Sequence, residues 1–293
     1  MRFAINSPVV IALPGVGAEW EREAGIEEIA RVAVEADRRG YDYLTCSEHV
    51  ALPPDTPWAM LGTSRGTVYW DPLPTFGYLS AVTRRIRLAT SVLVLGYHHP
   101  LAIAKRYGTL DRNSGGRLVL GVGVGTTEQE FAVLGAAFED RGARADDAMR
   151  ALRVSLSRRI VEYEGEYYRY SGLVVEPHAV QERVPLWVGG RSRRALRRAI
   201  ELGDGWMPGA IEPGLMRELL AHAPDRPEGF VVSARSPHAL DPIGDRDGTS
   251  RTIEAMSAAG TTTLEARFVH TSLDEYLEQV EALASFDEFE PTR

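Results

Sequence analysis

"RIRLATSVLVLGYHHPLAIAKRYGTLDRNSGGRLVLGVGVG", residues 85–125, decides the fold. It opens on a β-type run, 85–96, continues through a helix-like segment, 101–116, that stops at paired glycines, and ends on a second β-type run, 117–125. Two apolar strands joined by a helix form a crossover unit, and that connection brings strands together in parallel.

The same unit repeats in both directions along the chain. Upstream, "RFAIN" (2–6) leads to "IEEIARVAVEADRRG" (26–40), where Ile26, Ile29, Ala30, Ala33 and Ala36 share one helical face and Gly40 closes the helix; "YDYLTCSEH" (41–49) is the next strand. Downstream, a helix over 137–158 precedes strands at 185–190, 205–209, 230–234 and 262–269, which alternate with helices at 192–203, 213–222, 249–259 and 272–285. Strands separated by helices at this length predict an α/β chain, a single closed (β/α)₈ TIM barrel over 1–293 rather than an open doubly wound sheet. Two inserts are expected over its C-terminal face. One is 50–76, rich in Pro, Trp and Tyr; the other is 160–184, which starts with the hairpin-like "IVEYEGEYYRYSGLVVE".

Composition narrows the chemistry. At 293 residues, 44% hydrophobic and 25% charged, the chain has enough apolar material for a large core. Its net charge of −8 argues against a general nucleic-acid surface. No apolar run approaches the roughly 20 residues of a membrane span, so a cytoplasmic protein is expected, with no membrane partner. Cys46 is the only cysteine and cannot form an internal disulfide; the seven histidines show no metal-ligand spacing, so no metal is expected.

In such a barrel the chemistry sits at the C-terminal strand ends. These are "SEH" (47–49), "TSVLVLGYHH" (90–99), "GVGVGTTEQE" (121–130) and "VGGRS" (188–192). His49, beside Glu48, is the candidate proton donor or acceptor, and packing is its alternative role. Glu48 and Tyr97 are fallback proton sources. The glycines at 121, 123 and 125 lack GxGxxG spacing and read instead as a slim strand against which a flat ligand can lie. "VGGRSRRALRRAI" (188–200) is either a solvated turn or an anion seat, with Gly189 and Gly190 letting a phosphate approach a helix N-terminus. Trp58, Tyr69 and Trp70 in the first insert, with Tyr97, are expected to line a pocket for a flat or apolar substrate; core packing is the alternative role of the insert's aromatics. Glu128 and Glu130 read as carboxylates on a solvated loop.

Two stretches together, "HPLAIAKRYGTLDRNSGGRLVLGVGVGTTEQEFAVLG" (99–135) and "PLWVGGRSRRALRRAIELGDGWMPG" (185–209), resemble the bacterial-luciferase-like barrel superfamily, in its branch of deazaflavin-dependent oxidoreductases. The resemblance spans roughly 2–270. It implies coenzyme F420, or else FMN, as cofactor, with Gly189, Gly190, Arg191 and Ser192 as the phosphate seat and Gly123, Gly125 and Thr126 along the cofactor. It also implies a non-prolyl cis peptide at Ser91–Val92 and an active-site role for His49. Members are generally homodimers, and the alanine-bearing helices at 26–39 and 101–114 would suit subunit packing. The chain departs from the branch's sugar-phosphate dehydrogenases in having Pro53 where they carry a tryptophan and Thr126 where they carry a glutamate. Its expected substrate is therefore a different small molecule: a carbonyl, imine or activated alkene to be reduced, or an alcohol to be oxidised. The alternatives are an FMN-dependent monooxygenase and a flavin-binding barrel without turnover.

Overall fold

A computed structural model describes residues 1–12, 18–53, 57–58, 63–64 and 67–292, with only the backbone at Ala12, Pro57, Trp58, Thr63 and Ser64. Eight strands, β1 (Arg2–Ile5), β2 (Tyr43–Cys46), β3 (Arg87–Thr90), β4 (Leu118–Gly123), β5 (Leu186–Gly189), β6 (Gly205–Ala210), β7 (Val231–Arg235) and β8 (Thr263–Ala266), pair in parallel in chain order. The β8–β1 ladder runs from Arg2 opposite Thr263 to Ile5 opposite Ala266, and β4 meets β5 from Leu120 opposite Leu186 to Val122 opposite Val188, so the sheet is a closed barrel. A helix follows each strand: α1 (Ile26–Arg39), α2 (Pro72–Val82), α3 (Pro100–Ser114), α4 (Arg141–Ser155), α5 (Arg193–Leu202), α6 (Pro213–Ala221), α7 (Arg246–Ala258) and α8 (Leu273–Leu283).

The sequence reading misses a whole barrel helix, α2, and the short helices Trp20–Glu23 and Glu128–Val133, and overextends other elements. Helix α2 starts inside the expected first insert, because Pro72, Pro74 and Gly77 mask its periodicity. The capping explains why it forms: Asp71 Oδ1 accepts the Leu73 N–H at 2.8 Å and proline sits in the first turn. The run 85–96 is β3, then the cis peptide Ser91–Val92, then a short strand, Leu93–Val94, that pairs on the outer end of β4. The second insert begins with the expected hairpin, Ile160–Glu164 against Arg169–Val174.

Two-residue alternation along the strands sends Ala4, Tyr43, Ala89, Val119, Trp187 and Met207 into the barrel, where they form one packed cluster. The other faces pack against the helices in the main core. Several motif residues prove to be braces for this frame. Asp111, fully buried, accepts the backbone N–H of Val180 (2.9 Å) and Gln181 (3.0 Å) and the Gln181 amide (2.7 Å). Buried Arg117 has backbone carbonyls and a hydroxyl as acceptors: Ser114 O at 2.7 Å, Ser80 O at 2.8 Å, Ile86 O at 2.9 Å and Thr83 Oγ1 at 2.8 Å. It ties the start of β4 to α2 and α3. The small residues of α3 are used within the subunit, since a Cβ on Gly108 would stand 3.1 Å from Ala179 N and Ala104 is fully buried. Among the described residues no helix is long and apolar enough to cross a membrane.

Candidate active site

The ends of β2, β3 and β4 meet around the cis peptide. Ser47 Oγ donates to Ser91 O (2.5 Å), and Ser91 N–H donates to Cys46 O (2.8 Å). Glu48 has both carboxylate oxygens engaged, one by Val94 N–H (2.8 Å) and the other by His98 Nε2 (2.6 Å). Glu48 thereby braces the strand after the bulge. His98 is a partner that the sequence did not single out.

His49 is held by a residue assigned to solvent. Glu130, in the short helix Glu128–Val133, is fully buried, whereas Glu128 stays exposed. Its Oε2 accepts from His49 Nδ1 (2.7 Å) and from the Tyr97 hydroxyl (2.6 Å), while Oε1 accepts the backbone N–H of Val50 and of Ala51 (3.2 Å). Burial alone would raise the pKa of this carboxyl, but the His49, Tyr97 and Val50 hydrogen bonds outweigh it and bring the pKa down to about 2. An ionised carboxylate only accepts, so Nδ1 of His49 carries a proton and the neutral ring presents the lone pair of Nε2. Among the described residues Nε2 has no hydrogen-bond partner. The Tyr69 ring stands edge-to-face on the imidazole, centroids 4.5 Å apart. The imidazole thus has a fixed tautomer and orientation, the geometry that proton transfer through Nε2 requires.

The remaining candidates divide. Tyr97, expected along the pocket, is half-buried and its hydroxyl supports Glu130. Trp70 packs on the core, its carbonyl accepting from Cys46 Sγ. Trp58's side chain lies outside the described residues. The glycines of β4 make room for protein rather than for a ligand alone. A Cβ on Gly121 would sit 1.9 Å from Thr90 O, one on Gly123 2.5 Å from Val92 Cγ2, and one on Gly125 2.5 Å from the Phe131 ring. Gly189 likewise makes way for Val92. The slim strand is thus the socket of the β3 bulge. Thr126 is exposed beyond it.

At β5 the turn into α5 is open to solvent at Gly190, Arg191 and Ser192, and Gly190 takes a left-handed φ of +114°. Gly190 N–H is bound to Met207 O and its carbonyl accepts from Trp206 Nε1 (2.7 Å), which explains why a tryptophan follows "GDG". Ser192 Oγ caps Ala195 N–H (3.1 Å). The first turn of α5 just past Gly190, where N–H groups have no helical acceptor, lies beside Arg191, whose Nη1 donates to Ala210 O (3.0 Å). A phosphate placed there fits the group that the resemblance implies.

The model of the luciferase-like monooxygenase family matches residues 1–230. The chain belongs to that family. This luciferase-like chain is 32% identical over 222 residues to an F420-dependent glucose-6-phosphate dehydrogenase of Kineococcus radiotolerans, covering 73% of this chain and 61% of that protein. Its barrel superposes on the coenzyme F420-dependent tetrahydromethanopterin reductase of Methanopyrus kandleri with a TM-score of 0.71 at 16% identity, covering 97% of each chain. The FMN complex of the oxygenating constituent of 3,6-diketocamphane monooxygenase from Pseudomonas putida superposes with a TM-score of 0.69 at 16% identity, again over 97% of each.

Proposed function

We propose that this member of the luciferase-like family is an F420-dependent oxidoreductase that moves a hydride between the deazaflavin and a small carbonyl, imine, activated alkene or alcohol. One observation carries the reading: a buried, ionised Glu130 fixes His49 with Nε2 open at the strand end that adjoins the Ser91–Val92 bulge. The deazaflavin, when bound, supplies or takes up the hydride. The first turn of α5 with Arg191 would hold its phosphate, and the bulge would back its ring. His49 handles the accompanying proton. Protonated, it donates from Nε2 to an alkoxide or amide anion; neutral, it takes the proton of an alcohol, and in either direction the Glu130 carboxylate stabilises the imidazolium.

FMN-dependent oxygenation is the second reading, favoured by the FMN-bound neighbour of the same fold. The two separate in a fluorescence titration of the purified protein. F420 is expected to bind at least tenfold more tightly than FMN, and the reverse order would overturn the deazaflavin assignment.

We further propose a homodimer, with small molecules as the other partners. Val34, Tyr78 and Val82 are exposed apolar side chains on α1 and α2. Sedimentation at micromolar concentration should give about twice the chain mass of 32.3 kDa, and a single species at that chain mass would refute the dimer.

A further inference from the structure

The barrel mouth has a second charged sector, on the side away from the bulge. Arg235 ends β7 and stands in register with Glu265 of β8; Arg267 follows two residues later, so alternation points Glu265 and Arg267 toward the same interior face. Glu265 is fully buried and tied by Oε1 to Ser233 (3.1 Å) and Tyr43 (3.2 Å), and its Oε2 faces Arg235 Nε at 3.7 Å. Arg235 also donates to Asn6 Oδ1 (3.0 Å). The other nearby carboxylate, Glu21, is taken by the backbone N–H of Val9 (3.0 Å) and Ala18 (2.9 Å) and stands 3.4 Å from His270 Nε2. The Arg267 carbonyl accepts the Leu240 N–H (2.7 Å), but its half-buried side chain has no hydrogen bond or ion pair among the described residues. Burial and the neighbouring Arg235 charge work against its protonated form and outweigh the favourable charge of Glu21, so its pKa is lowered.

A partly buried guanidinium beside a second cation gains from an added anion, and its planar fork suits two parallel bonds to one oxyanion. We propose that Arg267, with Arg235 beside it, binds an anionic oxygen group, carboxylate or phosphate, carried by the substrate. This rests on the oxidoreductase reading and gives the substrate its class. In ring order His49 follows β2, and β1 separates that strand from β8. A substrate anchored on Arg267 can therefore extend across the mouth toward His49, while the anion seat of α5 lies beyond β7 and β6.

Calorimetric titration of the full-length protein without cofactor tests this, with malonate, inorganic phosphate and neutral malonamide as probes. Arg267→Gln is expected to weaken malonate or phosphate about tenfold or more. Arg191→Gln should leave malonate binding within about twofold; inorganic phosphate, which also fits the α5 seat, is compared in the Arg191→Gln background, and malonamide should not bind either protein. Loss of malonate alone marks the group as a carboxylate; loss of phosphate alone marks it as a phosphate. Anion affinity unchanged by Arg267→Gln, or lost only with Arg191→Gln, overturns the proposal. Arg267→Gln should melt no lower than the parent, because it removes an unpartnered charge. If it does not fold, Arg267→Lys keeps the charge without the fork, and unchanged affinity there also overturns the proposal. F420 affinity is read separately. A parent that ignores F420 yet binds malonate through Arg267 sinks the cofactor assignment and leaves this site standing.

Discussion

Replacing His49 with alanine should lower kcat by about 10²–10⁴, the usual weight of a positioned proton-transfer group, while F420 affinity stays within about twofold. The separation follows from the geometry. The ring is held from the protein side by Glu130 and Tyr69, so it is free to act through Nε2 and is not needed to keep the strand end folded. The substrate for this measurement comes from screening small molecules against oxidation of reduced deazaflavin. Added imidazole should restore part of the lost rate. If kcat remains near the parental value, or if cofactor affinity falls as far as kcat does, His49 is a packing residue and the proton comes from elsewhere.

Glu130→Gln should be nearly as damaging, by a different route. An amide keeps the shape and can still accept from Val50 and Ala51, but its NH₂ would face His49 Nδ1 and impose the opposite tautomer, with no carboxylate left to stabilise an imidazolium. We expect kcat to fall about 10²–10³ with F420 affinity preserved. The substitution also carries a pH signature. The folded-state pKa of about 2 lies below the ordinary carboxyl value of 4.5, so the ionised form adds stability that is fully present above pH 4.5 and is lost as pH falls toward 2. The shift corresponds to on the order of 3 kcal/mol. Urea midpoints at pH 6 and pH 3 should therefore converge in Glu130→Gln relative to the parent. An equal acid sensitivity in both proteins would show that Glu130 is not the buried, ionised anchor.

The barrel was legible because its signal is repeated. Each strand–helix unit shows an apolar run and a helical face, so trimming an expected strand such as 262–269 to Thr263–Ala266 leaves the topology intact. Helix α2 escaped because two prolines and a glycine hide a helix whose decisive feature is the Asp71 cap. At the site, His49 and the bulge were visible by position and resemblance. Glu130 was not, because "TTEQE" is polar and acidic and reads as solvent-facing; its burial depends on His49, Val50 and Ala51, some 80 residues earlier in the chain. Local pattern cannot report a contact at that separation. The one sequence hint was Phe131, an aromatic that must face inward and turns its neighbour with it. Arg235 and Arg267 were missed for a related reason, since strand alternation marks a residue as inward only after the register is known.

The β8–β1 seam also sets an order of events in synthesis. Strand β1 is made first, yet half of its ladder is β8, whose residues begin at Thr263. At about 5–20 residues per second the first strand waits roughly 13–50 s for that partner. Throughout that wait "RFAI" presents an apolar edge with unpaired backbone, the kind of edge that recruits strands from other chains. Closing the seam is a long-range contact with a correspondingly slow search. Shielding Arg2–Ile5 until Thr263–Ala266 emerges is therefore a condition for clean closure of this barrel.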